Sequence, residues 1–66
     1  MGSGSCNYYV CSPDDVRTGA YVNGTPHRTQ EEALEVADAR AKLRPRESLM
    51  IVRRVGDKAD VVAMYV

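Results

Sequence analysis

Few side chains in this sequence could do chemistry. It has one histidine, His27, and two cysteines, Cys6 and Cys11. A thiol becomes a catalytic nucleophile when a base such as imidazole draws off its proton. No nucleophile elbow or comparable motif frames either cysteine, and nothing in the spacing pairs one of them with His27. Zinc needs four ligands in a tetrahedral array, usually from paired Cys or His residues. A Cys-x4-Cys pair with one distant His does not supply them. Asp14-Asp15 and Asp57 with Asp60 fall in turn-like stretches, where aspartate bonds the local backbone, and do not make an acid/base pair. No glycine motif cradles a phosphate. The expectation is a non-enzymatic protein with no catalytic residue, metal or cofactor. The one enzymatic arrangement to set against it is Cys11 with His27.

The basic residues offer a different chemistry. Seven of the nine are arginine, the type suited to planar, bidentate recognition of phosphate or carboxylate. Arg40, Lys42, Arg44 and Arg46 crowd one stretch, and Arg53-Arg54 follow. All four aromatic residues are tyrosines: Tyr8, Tyr9, Tyr21 and Tyr65. A tyrosine facing outward from a sheet, such as Tyr9, could stack a base. Nucleic-acid binding through Arg40, Lys42, Arg44, Arg46, Arg53, Arg54 and Tyr9 is therefore the alternative function, although the sheet-type RNA-reader motif is absent. The structural reading of the same residues is a solvated helix end and amphipathic sheet tyrosines.

The elements that would position these residues follow from composition and pattern. Sixty-six residues make one small domain with a modest core. An apolar share of 44% and a charged share of 27% suit a folded chain. Formal net charge is zero, which argues against binding to nucleic acid by bulk charge alone and does little to oppose self-association. Residues 1–5 read as an expression remnant or a flexible tail, with the domain proper over residues 6–66. There is neither a signal-peptide pattern nor an apolar span for a membrane. On one extended strand, Cys6 and Cys11 would stand about 16 Å apart and face opposite ways, too far for a mutual disulfide. Unpaired cysteines indicate a reducing compartment, with cytoplasm as the default.

In chain order, 7–12 reads as a strand, Ser12-Pro13-Asp14-Asp15 as a tight turn, and 16–22 as a second strand with Gly19 at a bulge. Asn23-Gly24 is a hairpin signal, and 25–28 is at most a short edge strand because of Pro26. Thr29-Gln30-Glu31-Glu32 has the form of a capping box opening a helix, and Pro45 ends that helix at Leu43 or Arg44. Its apolar arc comprises Leu43, Val36, Ala33, Ala37, Ala41 and Leu34. Arg40 falls inside the arc, which suggests a snorkelling stem or an anchor at an interface. The fold class is α+β: a single small domain, β-β-(β)-α-β-β, with a mainly antiparallel sheet and one helix on one face.

The last third closes the fold as a hairpin, with strands over 48–55 and 60–66 around Gly56-Asp57-Lys58-Ala59. Alternation puts Leu49, Ile51 and Val55 on one face and Met50 and Val52 on the other. On the second strand, Val61, Ala63 and Tyr65 oppose Val62, Met64 and Val66. Both faces are apolar, whereas a half-exposed hairpin should have one wet face. Leu49, Ile51, Val61, Ala63 and Tyr65 are assigned to the core under the helix. Met50, Val52, Val62 and Met64 are assigned to a protein contact on the helix-free face, with Arg40, Arg53 and Arg54 as charged edges; the mirror assignment, with the two hairpin faces exchanged, is the alternative.

Thr29-Gln30-Glu31-Glu32-Ala33, Ala37, Leu49-Met50-Ile51-Val52 and Gly56-Asp57-Lys58 together resemble a pattern in small bacterial and phage domains of unknown function: early strands, a Thr-x-x-Glu-Ala helix and a closing hairpin. In scale the chain is similar to phage-encoded inhibitors of bacterial defence systems, including anti-CRISPR proteins. No activity comes with this resemblance; it is the hairpin's two apolar faces that make an interaction module the expected function, with an inhibitor that occludes a protein partner as one form. The expected partners are a second copy through the helix-free sheet face, another protein, or both. No small-molecule substrate is expected.

Overall fold

A computed structural model of the chain describes residues 6–65; the tail expected over residues 1–5, and Val66, lie outside them. The described chain is α+β. It runs β1 (Cys6–Cys11), α1 (Pro13–Thr18), a short 3-10 helix (Ala20–Asn23), α2 (Gln30–Leu43), β2 (Leu49–Val55) and β3 (Lys58–Tyr65). The three strands form one antiparallel sheet in the order β1-β2-β3.

The second strand expected over 16–22 does not form, nor does a hairpin at Asn23-Gly24. Ser12-Pro13-Asp14-Asp15 opens α1 instead of turning the chain back. The Ser12 hydroxyl accepts from the Asp15 N–H at 3.3 Å, Pro13 occupies the first turn, and both aspartates sit at the positive end of the helix dipole. Gly19, at φ +81°, is the left-handed residue that stops α1 and not a strand bulge. Gly24 is extended rather than in the positive-φ state of a hairpin turn. The edge strand considered over 25–28 is reduced to one bridge, in which Tyr8 and His27 exchange two backbone hydrogen bonds of 2.8 Å. The same residue types start helices and make turns, and a six-residue helix is too short to show a period.

α2 follows its sequence signals. The Thr29 hydroxyl caps the Glu32 N–H at 3.1 Å, and the helix ends at Leu43, two residues before Pro45. Ala33 and Ala37 are fully buried against Ile51. Alanine at both positions lets the helix backbone come close to the sheet. Leu34 also packs there, whereas Leu43, placed in the apolar arc, is exposed. β2 and β3 join through Gly56-Asp57. Gly56 at φ +61°, followed by a residue with negative φ, is the type II′ pattern suited to the twist of a two-residue hairpin.

β2 is the central strand and is buried on both sides. Residues opposite one another in a ladder share a face. Leu49 with Tyr65, and Ile51 with Val10 and Ala63, lie on the α2 face. Met50 with Cys11 and Met64, and Val52 with Tyr9 and Val61, lie on the far face.

Leu49, Ile51 and Val52 are each 1% exposed or less. Removing most of such a side chain costs about 2–5 kcal/mol, a large share of the about 3–10 kcal/mol expected for a domain of this size. Ile51→Ala is therefore expected to lower the urea midpoint sharply or unfold the domain, as followed by far-UV circular dichroism. Leu43→Ala, at an exposed position, should leave the midpoint nearly unchanged.

Candidate functional site

The far face of the sheet is the site to which the sequence assigned a partner, and the structure divides it in two. Over β1 and β2 the same chain covers it. α1 and the 3-10 helix fold back across these strands, and the Tyr21 ring meets the Tyr9 ring edge-on, with centroids 5.5 Å apart. Tyr9, Cys11 and Val52 are buried there. Val52 is thus core and unavailable to a partner, and Tyr9 is no outward platform for a base. Tyr8, its sequence neighbour, packs on the α2 side.

Over β3 the far face stays open. Met64 is 63% exposed and Val61 43%, with Met50 half-buried beside Met64. Val61 was assigned to the core and Val62 to the contact; the structure exchanges them. Ile51 pairs with Ala63, and Val52 with Val61, so Val62 is an extra residue in β3. A bulge of this kind shifts the alternation by one position. Val62 turns toward Ala33, Ala37 and Ile51, and Val61 turns outward. A Val-Val pair carries no sequence signal for a bulge, because either residue suits either face.

The arginines do not gather into one patch. The Arg40 guanidinium, still part-exposed, donates to the Val10 carbonyl at 3.4 Å and to Glu47 at 3.2 Å. Arg44 donates to the other Glu47 oxygen at 3.5 Å. Glu47 thus ties the end of α2 to the loop before β2, beside a shallow, open depression lined by Arg44, Pro45, Arg46 and Glu47. Lys42 pairs with Asp38, Arg53 with Asp60 at 3.8 Å, and the Arg54 Nε donates to the Gly56 carbonyl. Arg53 shares the α2 face with Tyr8, while Arg54 lies on the far face with Asn7 and Ala59. Arg40, Lys42, Arg44 and Arg53 thus each have a carboxylate partner, with Arg40 and Arg44 sharing Glu47.

Cys6 and Cys11 are both free thiols at opposite ends and on opposite faces of β1. Cys11, whose thiol lies 3.8 Å from the Met50 carbonyl, is separated by the sheet from His27, which stands beside Tyr8. Burial pushes the Cys11 thiol above its ordinary value. The Asp15 carboxylate adds to this and the Arg40 guanidinium opposes it. The Tyr8 phenol is also raised, chiefly by hydrogen bonding with Cys6 and then by burial, against the pull of Arg53. Among the described residues, no group of three or more His, Cys, Asp or Glu could hold a metal, and no helix is long and apolar enough to cross a membrane.

Because the thiolate is the reactive form, Cys11 should alkylate much more slowly than Cys6 in the native protein and equally fast in urea. Mass-resolved labelling with iodoacetamide reads both. The stability linked to Cys11 is complete below the unfolded thiol value, about 8.5, and is lost as pH rises through the higher folded value. Urea midpoints should therefore fall with alkaline pH, and less steeply in Cys11→Ala. Comparison of the chain with protein-family models, curated proteins and solved structures gives no match in any of the three.

Proposed function

We propose that this protein is a non-enzymatic interaction module whose contact surface is the uncovered β3 half of the far face. The observation that carries this reading is the placement of Val61 and Met64, both exposed, beside Met50 and along a strand whose outer edge is unpaired among the described residues. Apolar side chains next to open backbone donors and acceptors suit an extended segment of another protein. Methionine, unbranched and polarizable, adapts to partners of different shape. Occluding a protein partner, as an inhibitor does, is one use of such a surface. The helix-free face as a whole is too well covered by α1 and the 3-10 helix to serve.

The same geometry makes nucleic-acid binding the weaker reading. Arg40 and Arg44 are engaged by Glu47, Arg53 faces Asp60, and Tyr9 lies under Tyr21.

Two measurements test the choice. Amide chemical shifts recorded while a hydrophobic dye is titrated in should move around Met50, Val61 and Met64, and Met64→Lys should reduce dye uptake without changing the circular dichroism. Labelled single-stranded RNA and duplex DNA should show no binding at low salt. Shifts centred on Arg40–Arg46, or nucleic-acid affinity that falls steeply with salt, would replace this reading with the alternative.

A further inference from the structure

The two edges of the sheet differ. The outer side of β1 is tied at Tyr8 to His27, whereas among the described residues nothing pairs with the outer side of β3. An open edge presents a row of N–H and C=O groups whose complement is another strand. The usual safeguards are thin. β3 is eight residues long, contains no proline, and carries its only charges, Lys58 and Asp60, within its first three residues.

We infer that β3 pairs with β3 of a second copy, antiparallel, joining two three-stranded sheets into one. The inference rests on the reading of the β3 strip as a contact surface and names its occupant.

Charge favours this arrangement. Antiparallel pairing sends Lys58 and Asp60 of the two copies to opposite ends of the contact and overlaps the uncharged stretches from Val61 to Tyr65. A formal net charge of zero adds no overall repulsion.

Symmetry selects the register. A closed antiparallel pair has its two-fold axis perpendicular to the sheet, so like faces lie on the same side. In a regular strand, residues three apart face opposite ways. The Val62 bulge instead puts Val61 and Met64, the partners of Val52 and Met50, on the same far face. Val61 can then sit opposite Met64 of the second copy, with Asp60 opposite Tyr65 and Val62 opposite Ala63, and faces match at every position. Two symmetric Val61–Met64 contacts result. With Met50 beside each Met64, they form one apolar strip across the seam.

The test uses the full chain in three steps. Sedimentation velocity from low-micromolar to near-millimolar concentration should show a reversible dimer, and Val61→Lys with Met64→Lys should raise its dissociation constant at least about tenfold while leaving the circular dichroism unchanged. In a Cys6→Ser background, a mixture of Val61→Cys and Met64→Cys proteins, mildly oxidised, should form the mixed disulfide in preference to either symmetric one. A dimer that ignores the lysine substitutions, or one in which symmetric disulfides match or exceed the mixed species, would overturn the pairing. A monomer throughout would also overturn it: if its strip still takes up the dye, the interaction-module reading stands, and if the strip does not, both readings fall.

Discussion

The structure depends on covering β2 from both sides. Ile51 and Leu49 need shelter on one face and Val52 on the other, because each is fully desolvated. A 66-residue chain has little material for two layers around a sheet. α2 forms one, and its buried positions, Ala33 and Ala37, let it lie close enough to seal Ile51. The second layer is the α1 and 3-10 segment, which costs only a few residues after β1 and uses Tyr21 against Tyr9 as its main contact. That layer reaches across β1 and β2 and stops before β3. What is left open is thus the remainder of a cover too short to span three strands.

The second constraint is the extra residue in β3. Val62 resolves a conflict between two apolar neighbours that cannot both face the core in a regular strand. By turning Val62 inward, the bulge completes the packing under α2 and leaves Val61 beside Met64 outside. Core packing and surface character are set by the same local distortion. Arg40 and Glu47 act at the other end of the domain, where they hold the end of α2, the Val10 carbonyl and the loop before β2 in one arrangement. Such partly exposed ion pairs contribute about 0–1 kcal/mol each, so their effect is mainly on the direction of the chain.

The elements that could be read before the structure are those with strong local chemistry or a sustained period. α2 has a cap, a dipole-matched charge order and a terminating proline, and fourteen residues over which to show them. The closing hairpin has two long apolar runs around Gly56-Asp57. The segment from Ser12 to Gly24 is ambiguous in sequence because Ser, Pro, Asp, Asn and Gly serve turns and helix ends alike. A second strand and a hairpin there would leave no chain to cover Val52 and Tyr9, whereas α1 and the 3-10 helix bury both.

The sequence by itself determined an α+β domain, a capped helix with an alanine face, a glycine-started hairpin, and a surplus of apolar residues on both sides of β2. These depend on neighbours within a few residues, and one chain suffices to show them. Only the tertiary structure decided which of those apolar residues are core. Tyr9, Cys11 and Val52 are sheltered by a segment distant from β2 in sequence. Val61 and Val62 exchange faces through a shift in ladder register. Arg40 and Arg44 are engaged by Glu47, across the turn that ends α2. The first two outcomes depend on pairing between separated parts of the chain, of which residue type and local spacing carry no record; the third depends on how the chain turns after α2.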